Sequence, residues 1–139
     1  MKHTLLLLTA FFCVGSAAAQ AVTSPSGPAV RCTAIYGGEA RTFDVEATTN
    51  PYTVESLRFG SRRFEFKVVF VASPDDIAGV NIYTFYPTDQ GPVLIHQAKY
   101  RPPYPVAAQG SPHGFTGLHF IYEPERSSEF QYWCAWRPL

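Results

Sequence analysis

Four His, three Cys and the adjacent acids Asp75-Asp76 are the side chains of this 139-residue chain with chemistry beyond packing. In Leu94-Ile95-His96-Gln97-Ala98, strict alternation sets His96 on one face with Leu94, Ala98 and Tyr100, which reads as a half-buried imidazole hydrogen-bonded to the backbone. A catalytic zinc needs three protein ligands, and neither an HExxH nor an HxH spacing occurs; His119 reads the same way. His113 lies in Gly110-Ser111-Pro112-His113-Gly114, a hydroxyl beside an imidazole in a solvated turn. A serine nucleophile would also need an oriented base and oxyanion donors, and the GxSxG elbow is absent. Asp75-Asp76 reads as a pair of turn acids, since no calcium-loop pattern follows it. No Gly-rich phosphate loop follows a strand. The sequence therefore predicts no catalytic residue, no metal and no cofactor; His96, His113 and His119 are the only candidate bases for an enzyme.

The cysteines point to a compartment. Lys2 and His3 precede an apolar run from Leu5 to Val14, and Ala17, Ala18 and Ala19 supply the small residues of a cleavage site, so residues 1–19 read as a secretory signal peptide. The run is too short to span a bilayer, and Cys13 lacks the preceding pattern of a lipid-attachment site. Cleavage leaves Cys32 near the start and Cys134 near the end, read as one disulfide in an oxidising periplasmic or extracellular space.

These groups must be positioned by strands. Residues 20–28 are rich in Ser, Pro and Gly and predict a flexible lead-in, leaving residues 29–139 as one β domain. Strands are predicted over Arg31–Tyr36, Arg41–Ala47, Thr53–Phe59, Arg63–Val71, Gly79–Tyr86, Val93–Tyr100, Gly117–Tyr122 and Glu129–Arg137. Gly37-Gly38 marks a hairpin, and Arg101-Pro102-Pro103-Tyr104-Pro105 leads into a long loop ending at Phe115. No window carries a sustained 3.6 period, so the fold class is all-β: a single antiparallel meander of about eight strands forming a small barrel or sandwich. A disulfide joining first and last strands favours the barrel, because closure removes edges.

The balance of 11 basic against 11 acidic residues argues against a nucleic-acid binder and against polybasic docking on a membrane. Two Trp, eight Tyr and eleven Phe are what stands out. Alternation makes Phe64, Phe66, Phe70 and Phe120 core residues. On the last strand Phe130, Tyr132, Cys134 and Trp136 share a face, so an inward Cys134 turns Trp133 outward. Trp133, with Tyr104, Arg101, Tyr100, Phe115 and His113 from the long loop and its shoulders, is the candidate recognition surface. The expected function is that of a monomeric, non-enzymatic binding or accessory protein, an inhibitor or envelope-protein partner included. The alternative is a carrier holding an apolar or sugar-like molecule inside the barrel.

Arg31-Cys32-Thr33, Arg63-Phe64-Glu65-Phe66-Lys67, Val93-Leu94-Ile95-His96-Gln97-Ala98 and Tyr132-Trp133-Cys134 resemble segments of small exported β proteins of Gram-negative bacteria that carry no assigned activity. The framework is also similar to the periplasmic inhibitors of C-type lysozyme, small β-barrels stapled near their ends. The Ser-Gly-x-x-Tyr loop of those inhibitors has no counterpart, the nearest stretch being Gln109-Gly110-Ser111-Pro112-His113-Gly114-Phe115, and no inhibitory residue is carried over.

Overall fold

The structure is a computed structural model that describes residues 29–72, 78–106 and 111–137. The leader, the lead-in segment, the Asp75-Asp76 turn and Gln109-Gly110 lie outside the described residues. Eight strands form: β1 Ala29–Tyr36, β2 Glu39–Thr48, β3 Leu57–Phe59, β4 Phe64–Val71, β5 Gly79–Thr88, β6 Gly91–Tyr100, β7 His119–Tyr122 and β8 Glu129–Trp136. The one helical element among the described residues is a 3-10 turn at Pro51–Thr53, where the Asn50 side chain accepts from the Tyr52 N–H. The Tyr36↔Glu39 hairpin closes through Gly37 and Gly38, whose φ of 59° and 81° fit a two-residue turn that few other residues tolerate.

Strand order is β6-β5-β4-β2-β1-β8-β7, with β3 added against β4. The sheet curls into a nearly closed barrel, but it is not a simple antiparallel meander: β2 and β4 run parallel where Ala47 faces Phe70 and Thr48 faces Val71. Cys32 and Cys134 face each other across β1 and β8 and form the disulfide, which joins the first and last strands. A structural disulfide fits a protein made for a compartment outside the cytoplasm. Among the described residues no helix is long and apolar enough to cross a membrane.

Alternation fills the interior. Phe66, Val68 and Phe70 of β4 face inward, as do Ile82 and Val80 of β5 and Phe130, Tyr132 and Cys134 of β8, all buried. Phe130 lies 5.2 Å from Phe64 and 5.2 Å from Phe66, and Phe66 lies 4.9 Å from Tyr132, centroid to centroid. Rings at these separations are in contact and contribute beyond the area they bury. Phe120 is a correction: it is 52 % exposed, because β7 pairs with β8 so that His119 faces Tyr132 and Ile121 faces Phe130, which sends Phe120 and Tyr122 outward.

Two devices outside the core set the geometry of β7 and β8. In the turn between them, Glu123 is buried and its carboxylate accepts from the N–H groups of Glu125 (2.7 Å) and Arg126 (2.9 Å), with Ser128 at 3.4 Å. Burial pushes that carboxyl up, but the backbone bonds outweigh it and hold the group below its ordinary value. Ahead of β7, the chain at Gly114–Thr116 already runs beside β8, with the Phe115 N–H donating to the Cys134 carbonyl at 3.0 Å and the Cys134 N–H to Thr116 Oγ1 at 2.8 Å. Gly114 permits this approach: its φ is 58°, and a Cβ there would come within 2.7 Å of the Ala135 Cα.

Candidate functional site

The open side of the barrel lies between β6 and β7, the two ends of the strand order, whose outer edges pair with no other strand among the described residues. Side chains, not main chain, bridge this seam. His96 projects from β6 and His119 from β7, and their rings stand 5.3 Å apart. The His96 Nε2 shares a hydrogen bond with the Tyr132 hydroxyl at 2.8 Å. The His119 ring stacks on Tyr132 at 4.7 Å and 3°, and its Nε2 lies 3.1 Å from both the Tyr100 hydroxyl and the Thr116 carbonyl. That carbonyl only accepts, so it takes its bond from the His119 ring N–H or from Tyr100.

A bulge on β6 sets this arrangement. Thr84 pairs with His96 but Phe85 pairs with Leu94, so Ile95 is an extra residue that shifts the alternation by one. His96, Ala98 and Tyr100 therefore face inward while Leu94 turns out, which corrects the reading that placed Leu94 on the His96 face. The partner of His96 is a phenol and not the backbone. The hydroxyl of Thr84, opposite His96, is buried and has no hydrogen-bond partner.

Burial and then the neighbouring His119 hold His96 below its ordinary value of 6.5. Burial raises Tyr132 and Tyr100. These three seam groups are uncharged at neutral pH. Because the unfolded chain binds a proton at His96 before the folded chain does, stability is complete above 6.5 and declines as pH falls through and below it. We expect the Tm of the oxidised protein to fall on the order of a few degrees between roughly pH 7.5 and 5, and His96→Gln to flatten that slope. A slope unchanged in His96→Gln would assign it to other groups.

The hydrogen-bond partners of the two seam imidazoles are phenols and one carbonyl, and among the described residues no three His, Cys, Asp or Glu converge to hold a metal. On the outer face the seam is apolar: Leu94 on β6 and Phe120 and Tyr122 on β7 are each about half exposed, and Val93, also half exposed, lies on the other face opposite Tyr86.

The six residues expected to form one recognition surface are divided among three places. Tyr104 and Phe115 pack on Trp136, each at 4.8 Å, and Tyr100 meets the Phe115 ring edge-on at 5.3 Å. Phe115 is buried at 6 % exposure, so this group plugs the barrel end instead of presenting a surface. Trp133 does face outward, opposite Thr33, but the His113 ring covers it edge-on at 5.1 Å. Arg101 follows β6 and lines a groove on the outer face of β4 to β6. The seam cluster escaped sequence reasoning because its members come from three strands. The available signal was that His96 and Tyr132 each share a face with apolar residues; the phase of His119 is set only by the register of β7 on β8.

Fold and seam together define a disulfide-stapled, nearly closed β-barrel with one side-chain-bridged gap. Comparison of the chain with protein-family models, curated proteins and solved structures finds no match.

Proposed function

We propose that this protein is a non-enzymatic periplasmic or secreted accessory module, monomeric on its own, that receives an extended segment of a partner protein along the seam between β6 and β7. One observation carries the reading: Val93, Leu94, Phe120 and Tyr122, four exposed large apolar side chains, sit on the two strands whose outer edges are unpaired. An unpaired edge offers N–H and C=O groups to an incoming strand, and flanking apolar side chains supply the contact area. The neutral imidazole–phenol cluster beneath keeps the gap bridged without charge. The contacting rings of the interior favour an external site over a carrier's cavity.

The test is capture of the oxidised protein's partner from an envelope extract, with amide hydrogen exchange on the purified complex. We expect slowed exchange in β6 and β7, and loss of the partner in a Leu94→Lys, Phe120→Lys variant that melts like the parent. A partner kept by that variant and lost by Trp133→Ala would return the surface to the Trp133 face. Concentration-dependent dimerisation with the same protection would make a second copy the occupant.

A further inference from the structure

Lys67 and Lys99 are the only lysines after Lys2, and both line one groove of ≈ 560 Å³ on the outer face of β4, β5 and β6. Elsewhere the chain uses arginine for its ion pairs, with Arg31, Arg41, Arg58 and Arg137 each bound to a carboxylate. Among the described residues neither lysine has a hydrogen bond or an ion pair. No carboxylate lines the groove among the described residues. Such a concavity is of ligand size; among the described residues no carboxylate meets its two compact ammonium charges, and Arg101, which makes an interaction of its own, adds a third cationic side chain to the lining.

The groove's other walls narrow the chemistry. Tyr83 and Phe85 are neighbours on one face of β5, their rings 6.2 Å apart and within 19° of parallel, an aromatic pair in the lining of the groove. Asn81 adds an amide in the same row as Lys99, and Tyr52, 92 % exposed, forms a second aromatic wall. At the centre of the floor β5 offers no free edge, since it pairs with β4 on one side and β6 on the other. A peptide therefore cannot add as a strand here, and side chains alone must hold the occupant. Lys67 pairs with Tyr83, while Lys99 pairs with Asn81, so the two Cα atoms lie about 12 Å apart across the sheet. Two amines flanking an aromatic pair suit a chain of sugar rings bearing carboxylates: the sugar rings pack against the aromatic side chains and the carboxylates meet the amines.

We infer that this groove is a binding site for an acidic oligosaccharide of the uronic acid class, separate from the seam and independent of what the seam binds. The probe is a hexamer of galacturonic acid titrated into the oxidised protein, read by calorimetry and by amide shifts, with a neutral glucose hexamer and a hexamer of aspartic acid as competitors. Binding of the uronate with shifts confined to β4–β6, weakened about tenfold or more in Lys67→Gln, Lys99→Gln and weakened also in Tyr83→Ala, supports the assignment. Both lysines point to solvent, so the double variant is expected to melt like the parent. No uronate binding, or binding unchanged in the double variant, overturns it. Equal binding of the aspartate hexamer overturns the sugar assignment. A Phe120→Lys variant, changed on β7 and away from the groove, should keep full uronate affinity, so a failure here is distinguishable from a failure of the seam proposal.

Discussion

Replacing both Cys32 and Cys134 by Ala is expected to cost about 4 to 5 kcal/mol of stability, close to the whole reserve of a marginal domain. The two residues are 102 apart in sequence, so the bond removes a long loop's freedom from the unfolded chain. In the folded chain they are already neighbours across β1 and β8, held by the ladder from Val30↔Trp136 to Tyr36↔Phe130. The barrel should therefore survive as a fold while its unfolding midpoint drops steeply. Denaturant unfolding of the double variant against the oxidised parent measures this. An unchanged midpoint would mean that the bond adds nothing to what the ladder and core already supply.

Tyr132→Ala is the second large effect, at about 3 to 5 kcal/mol, because a ring with no exposed surface leaves a cavity the barrel cannot close. Tyr132 touches Phe66 on one side and His119 on the other, and its hydroxyl completes His96, so core and seam meet in this one side chain. Tyr132→Phe separates the two roles. It keeps the ring and strands the His96 Nε2, for a cost of about 1 to 3 kcal/mol. Calorimetric melts of the two variants should differ accordingly. If Tyr132→Phe cost as much as Tyr132→Ala, the hydrogen bond would carry what packing is assigned here.

Much of this fold was legible as alternation. In Phe64-Glu65-Phe66-Lys67-Val68, polar and apolar residues alternate because one face meets Phe130 and Tyr132 and the other meets solvent, and the strand forms as read. Cys32 and Cys134 were legible as a pair because a chain read as exported leaves them few alternatives. What escaped was of another kind. A single extra residue at Ile95 reverses the faces of everything before it on β6, and a bulge has no signature in the hydrophobic pattern. Phe120 lies on a strand of four residues, too short for alternation to fix its own phase; its face is set by the register with β8. The binding residues expected on the long loop fared differently from Trp133, whose outward face followed from Cys134. Phe115 and Tyr104 turned inward onto Trp136, a contact between distant segments that no local spacing encodes.

The antiparallel pairing of β1 with β8 places Ala29 beside Arg137, whose N–H donates to the Ala29 carbonyl at 2.9 Å. Tension applied at these two residues would open the ladder from its end like a zip and meet the disulfide at Cys32 and Cys134 only three residues in. From there the load passes through a covalent bond, and the chain between the two cysteines lies outside its path. The domain is thus expected to act as a short link that lengthens only by the three residues on either side of the bond, while seam and groove stay outside the path of the load.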